Sequence, residues 1–394
     1  GVKSHAEVIY GGTGYPPLDI LRSNSYFDVP MFEFWANPDS ETGFISYSPV
    51  NTTAFEIPAH AGALYGKNVV TAEAYTGYAN YTELPWDLKL FGDKEFCSGI
   101  NQMVLHSYVH QPFEKKPGVT LGVFGQSFNR HNPWWDFASQ WFDYHARVQN
   151  VLQQGVPVAD ILYFVGDGFY DDLTSEGLYE LPASYRIQKC NLDILMNHCS
   201  VKNGKLLLDN GLSYELLLLP DNESMTLESL QRIAELTRAG AKIAGPRPVT
   251  VPGNLNYQDN LKSLQEIVED MWGRAEGAAA TENRYGKGKI FSDKKLKDIL
   301  DEMQITPDFI VPDELTGRFI YIHKKIGNDD VYFVVNQEDK MVECDCIFRV
   351  KGKVPEIWDP QYGTISRAGV FSESEGKTIV EIKFQPRESL FIVF

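Results

Sequence analysis

The sequence predicts a multidomain α/β protein, and three features lead to that class. Strand-like runs alternate with helical stretches over the first 155 residues or so. A continuous apolar run, "YELLLLPD", opens a βαβ pattern in the middle, and from about residue 310 short alternating strands take over. At 394 residues the chain exceeds one ordinary core, so the expected division is 1–155, 156–309 and 310–394.

In the first region "HAEVIYGG", "DVPMFEFWA", "NVVTAEAYT" and "NQMVLHSYVHQ" read as four short strands, each followed by a polar or aromatic segment. Strands alternating with helical patterns pair in parallel. Four βα units are half of a (β/α)8 barrel, whose open edges something must cover. "NPWWDFASQWFDYHARVQNVLQQG" then predicts a long amphipathic helix, with Asn132 as N-cap and Pro133 in the first turn. Trp135, Ala138, Phe142, His145, Val148 and Leu152 recur at helical spacing, and Gly155 ends the run.

The middle region reads as a Rossmann-like α/β domain. "VADILYFVG" and "YELLLLPD" are buried strands, "TLESLQRIAELTRAG" is a capped helix closed by Gly240, and "AKIAGP" is the next strand. No G-x-G-x-x-G follows a strand, which rejects dinucleotide binding. "YGKGKI" (Tyr285 to Ile290) reads as a surface turn and "GGTG" (Gly11 to Gly14) as a loop, not as phosphate cradles. From residue 310, "RFIYIHKKIGNDDVYFVVNQ" is a hairpin around Gly327-Asn328-Asp329. With "MVECDCIFRV", "EIWDPQYGTI", "KTIVEIKF" and "ESLFIVF" it predicts a small antiparallel β-sandwich.

A net charge of −17 argues against nucleic acid or anionic membrane as partners, and no apolar run is long enough to span a bilayer. The five cysteines form no metal spacing; Cys344 and Cys346 share one face of an alternating strand and read as small apolar groups. Aromatic residues make up 13% of the chain, many on loop-like segments, a pattern that suits sugar rings whose C–H faces stack on aromatics as well as it suits a large core.

The acids sit where barrel enzymes keep their chemistry, at the C-terminal ends of strands. Glu73 is read at the mouth of a strand spanning Asn68 to Ala72, beside Tyr75, with Tyr78 close in sequence, and Glu33 lies among Phe32, Phe34 and Trp35. Partial desolvation would raise such a carboxyl toward neutrality, as a proton donor requires, although an acid capping a loop gives the same local pattern. Two carboxylates on one barrel face are what glycoside hydrolysis needs. Trp35 and Tyr75 are candidate sugar contacts. His106 and His110, an even distance apart in "VLHSYVHQ", would share a strand face as hydrogen-bonded wall residues, and Asn101, Gln126, Asn129 and Arg130 could read hydroxyls.

Together "DVPMFEFW", "AEAYT", "LKLFGDKEFCSGINQMVLHSYVHQPF", "GVTLGVFGQSFNRHNPWW" and "YHARVQNVLQQGVPVADILYF" resemble glycoside hydrolase family 106, the α-L-rhamnosidases, in order through most of residues 5–165. The middle region is similar to the amidotransferase-like trimerisation domain that follows the barrel in family 42 β-galactosidases. The resemblance implies a catalytic (β/α)8 barrel in a long bacterial enzyme, periplasmic or extracellular. Such an enzyme hydrolyses terminal α-L-rhamnosyl linkages with inversion and uses a calcium ion. Glu73 in "AEAYT" matches the general acid. Glu33 matches a second pocket acid, its role open between substrate and calcium contact, and no calcium ligand follows residue by residue. The general base is expected upstream of residue 1. This chain would then hold the C-terminal half of the barrel plus the following domains, need the upstream half of the same polypeptide, and be inactive alone. Another exo-glycosidase of β-galactosidase type, or a non-catalytic glycan-binding or scaffold protein, stand as alternatives, and the oligomeric state is open.

Overall fold

The computed structural model describes residues 1–7, 19–38, 45–47, 57–77, 81–122, 124–167, 179–273 and 282–394. The Gly11–Gly14 segment and Tyr78 lie outside them. The chain forms two compact units, one of residues 1–15, 23–157 and 309–394, the other of residues 16–22 and 158–308. The fold is mixed α/β.

The first unit begins with β1 (His5–Glu7), α1 (Ile20–Ser25), which runs across the boundary between the units, β2 (Val29–Pro38), β3 (Ile45–Tyr47), α2 (Ile57–Leu64), β4 (Thr71–Thr76), α3 (Pro85–Ser98), β5 (Gln102–Leu105) and α4 (Ala138–Leu152). Strands β1, β2, β4 and β5 pair in parallel in that order, and β3 returns antiparallel along the end of β2. Among the described residues this run of strands is open. Alternation sorts β2 into two faces: Phe32, Phe34 and Ala36 are buried in a core with Ala72, Ala74, Leu88 and Phe91, while Met31, Glu33 and Trp35 are half-buried on the other face. Full burial of Phe34 is worth about 2–3 kcal/mol, so the strand cannot slip by one residue without losing it.

Helix α3 starts at Pro85, where a missing N–H costs nothing, and Asp87 Oδ2 accepts the Leu84 N–H at 3.0 Å. Helix α4 begins later than its sequence pattern suggests. A 3-10 turn occupies Trp135–Phe137, and the Asn132 amide donates to the Ser127 carbonyl at 3.0 Å instead of acting as the N-cap of this helix. Its buried stripe is Ala138, Trp141, Tyr144, His145, Val148 and Leu152; Trp135 and Phe142 are only half-buried.

Residues 309–394 form two antiparallel sheets. One orders the strands Phe309–Ile310, Val342–Phe348, Lys377–Phe384 and Phe371–Ser374. The other orders Thr364–Arg367, Glu356–Asp359, Ser389–Val393, Asp329–Asn336, Phe319–Ile326 and Val156–Pro157. The hairpin turns at Gly327, whose φ of +62° suits glycine. Val334, Tyr332, Cys344, Cys346 and Phe384 fill the space between the sheets. Phe333, Val335 and Phe391 face the other way and pack on Phe96 of α3 and Tyr144 and Val148 of α4. A strand buried on both faces explains why "DVYFVVN" is a nearly unbroken apolar run, and why these sheets belong to the same compact unit as the parallel strands.

The second unit is built on a sheet ordered Glu282–Tyr285, Gly288–Phe291, Lys242–Ala244, Leu216–Leu218, Ile161–Phe164 and Ile187–Cys190, parallel except for its first pair. Thr226 caps the helix Leu227–Ala239 by accepting the Ser229 N–H at 3.2 Å, and Gly240 closes it. Tyr285–Gly288 is the tight connection of an antiparallel pair, so "YGKGKI" is a turn, as read from the sequence.

Candidate active site

The half-buried face of the parallel strands carries the titratable groups. Glu33 on β2 lies opposite Glu73 on β4, and Glu73 lies opposite Val104 on β5. His5 and Glu7 are two residues apart on β1, as Thr71 and Glu73 are on β4, so each pair shares a face. His5 Nε2 reaches Thr71 Oγ1 at 2.6 Å across β2, which runs between them. Glu7, Glu33 and Glu73 thus lie on one face of three neighbouring strands, close enough for their charges to act on one another.

Their electrostatics agree with that placement. Burial, reinforced by the charges of Glu33 and Glu73, pushes the Glu7 carboxyl up to about 7. Burial and the Glu73 charge raise Glu33 as well, against hydrogen bonds from the side chains of Thr76 and Trp35. His106, one residue past β5, binds Thr76 Oγ1 through Nδ1 at 3.3 Å, and its Nε2 stands 3.7 Å from Glu73 Oε1, ion-pair range rather than a hydrogen bond. Glu33, Thr76, His106 and Glu73 thus lie side by side as one run of polar groups.

Of the residues expected from the sequence, Glu73, Glu33, Trp35 and His106 are brought together. Glu73 is the third residue of a six-residue strand, not a residue beyond its end. Tyr75 is corrected. It is fully buried on the opposite side of the sheet, edge-on to Phe34 at 4.9 Å, with its hydroxyl 2.7 Å from His145 Nε2. In a regular strand Tyr75 would share the face of Glu73. Instead its φ is +69° and the β2–β4 register shifts between Glu33 and Trp35, which turns the ring into the core. His110 is also corrected. The strand ends at Leu105, so alternation stops applying, and His110 is exposed in the following segment. Asn129 is buried as a brace, its Oδ1 accepting the His131 N–H at 2.9 Å. Asn101 likewise braces backbone, accepting from Val70 N–H at 2.9 Å at the N-terminal end of β5, and Arg130 turns to the Gln111 carbonyl and Glu114.

Sequence reasoning missed Glu7 and Thr76. Glu7 had the signal, an acid inside the short strand "HAEV", the same pattern that singled out Glu33 and Glu73. Thr76 had none, because its role depends on where His106 ends up. Among the described residues no group of three or more His, Cys, Asp or Glu side chains could hold a metal ion.

Acids grouped on one face of parallel strands suit the paired-carboxylate chemistry of glycoside hydrolases. Over residues 1–372 the sequence matches the alpha-L-rhamnosidase family, glycoside hydrolase family 106, and the chain belongs to it. It is similar to the rhamnosidase from Novosphingobium sp. PP1Y, with a TM-score of 0.85 and 30% identity over 95% of this chain and 35% of that one. A Formosa agariphila protein provisionally named a beta-glucuronidase is 30% identical over 100% of this chain and 31% of its own length. The chain therefore spans about a third of these relatives. A GH42 beta-galactosidase from G. stearothermophilus shares the fold at a TM-score of 0.54 and 9% identity, over 95% of this chain and 60% of that one. Among the described residues no helix is long and apolar enough to cross a membrane.

Proposed function

We propose that this chain supplies the C-terminal half of the (β/α)8 barrel of an inverting α-L-rhamnosidase, followed by its Rossmann-like and β-sandwich portions, in a protein that works outside the cytoplasm. The observation that carries the proposal is the grouping of Glu7, Glu33 and Glu73 on one face of adjacent parallel strands, with the Glu7 carboxyl pushed up to about 7. Glu73 donates the proton to the leaving oxygen, as its place in "AEAYT" suggests. Glu7 and Glu33 are the like-charged neighbours that keep one proton within the set near neutral pH. The water-activating carboxylate comes from the polypeptide ahead of this chain, so the chain alone turns over little.

The acid-rich face favours a neutral deoxy-sugar over a glucuronide, whose carboxylate would meet like charge, and this supports rhamnoside as substrate despite the name of the Formosa relative.

A second reading rests on Glu7 itself. It lies two strands from Glu73 and level with Thr71, so their backbones stand about 12 Å apart at ordinary strand geometry, a span the two side chains shorten toward the 6.5–9.5 Å that inversion uses, whereas Glu33 is on the adjacent strand. A carboxyl near 7 is also well poised as a base. Under this reading Glu7 activates the water and no upstream acid is needed. Assays of the 394-residue chain and of the longer polypeptide on aryl α-L-rhamnoside and aryl β-D-glucuronide decide among these readings. Turnover of rhamnoside by the longer protein alone supports the first, turnover by the chain alone supports the second, and turnover of glucuronide in preference to rhamnoside overturns the substrate.

A further inference from the structure

A cleft of about 500 Å³ opens within the first unit between the start of α3, the start of α4 and the turns of the C-terminal sheets, and it shares no residue with the carboxylate face. Three aromatic rings line it while remaining largely exposed: Trp86 at 48%, Phe137 at 68% and Tyr362 at 71%. Exposed rings on a concave wall are unusual for a surface with no ligand, since burying them would be favourable. Between them stand the uncharged amides of Gln140 and Gln361 and the carboxylate of Asp143.

The charges at the cleft are already engaged. Lys89 is held by Asp93 and by Ser389 Oγ at 2.8 Å. Arg147 donates to the Pro360 and Gln361 carbonyls, each at 3.0 Å. Arg387 pairs with Asp339 and lies 5.0 Å over the Trp86 ring, which it holds in place. With each cation beside a carboxylate, Arg147 standing 4.0 Å from Asp143 Oδ2, the cleft has little to attract an anionic partner. Flat rings and amides suit a ligand with apolar C–H faces and neutral hydroxyls. We infer that this cleft is a second carbohydrate-binding site, one that takes a neutral sugar unit and holds a glycan without cleaving it.

The test uses the intact protein with Glu73→Gln in every arm, so that no probe is hydrolysed, titrated calorimetrically with methyl α-L-rhamnoside and, separately, methyl β-D-galactoside. The expected result is a binding event that Phe137→Ala plus Tyr362→Ala weakens about tenfold or more while adding Glu33→Ala leaves it unchanged. Both rings are mostly exposed, so the fold survives their removal, which circular dichroism checks. Three results overturn the inference: no binding of either sugar in the parent, identical titrations for parent and double variant, or Trp86, Phe137 and Tyr362 protected from hydroxyl-radical labelling without sugar, which would mean that another segment of the polypeptide fills the cleft. None of these outcomes depends on whether the protein hydrolyses rhamnosides.

Discussion

Asp93 and Glu33 are both acids of the first unit that burial pushes upward, yet their surroundings differ in kind. Asp93, on α3, is fully enclosed; Lys89, Tyr144 and Ser389 all bond to it, linking both helices to the strand Ser389–Val393. Every oxygen has a partner, and opposite charge offsets the cost of burial. Glu33 is half-open, and its nearest charged neighbour on the adjacent strand is another acid. Partners of opposite charge around a buried acid build structure, whereas like-charged neighbours around an accessible one hold a proton in a place where it can be given away. The two are the same kind of group in one compact unit, so the contrast comes from packing and not from composition.

The comparison breaks most visibly at Glu73. Glu73→Gln in the longer polypeptide should lower rhamnoside turnover by about 10²–10⁴-fold with little change in thermal stability. Unchanged turnover would remove this residue from the mechanism. Asp93→Ala should do the reverse, costing about 3–5 kcal/mol in denaturant titration because Lys89 is left buried without its partner, while KM of the folded fraction holds. A smaller loss than about 1 kcal/mol would show that water satisfies Lys89.

The pH dependence sharpens the same contrast. Glu7 titrates at about 7 when folded and near 4.5 when unfolded, so between those values the native state binds more protons. Its contribution therefore favours folding below about pH 4.5 and is lost as pH rises toward 7. Glu95, buried on α3 with a carboxyl pushed up to about 8 by desolvation, acts in the same direction over a wider window. Glu7→Gln should flatten part of the fall in stability between about pH 4.5 and 7. An unchanged slope would show that Glu7 does not hold its proton over that window. The smallest effect is expected at Tyr75→Phe, about 1 kcal/mol of stability from the lost hydrogen bond to His145, with KM unchanged. A raised KM would return Tyr75 to the sugar site.

Much of this was legible in the chain. Strand periodicity, the Thr226 cap, the Gly327 hairpin and the acids at Glu33 and Glu73 follow from local rules of backbone and pattern, and local rules survive folding. The failures share a cause. His110 is placed on the site face by extending alternation past the strand end at Leu105, and Tyr75 by reading nearness to Glu73 in sequence as nearness in space, where the strand continues to Thr76 and turns the ring into the core. Asn101 and Asn129 were taken for ligand contacts because an amide that braces backbone looks the same in sequence as one that reads a hydroxyl.

The sequence by itself determined the kinds of element, their order, the family and the acids at two of the three positions on the site face, since each depends on residues near one another along the chain. Only the tertiary structure decided that Glu7 joins them, that Thr76 and His106 link them, and that Tyr75 turns away. Those outcomes depend on which strand lies beside which and how far the sheet curves, and distances across a sheet are set by packing that no local pattern encodes.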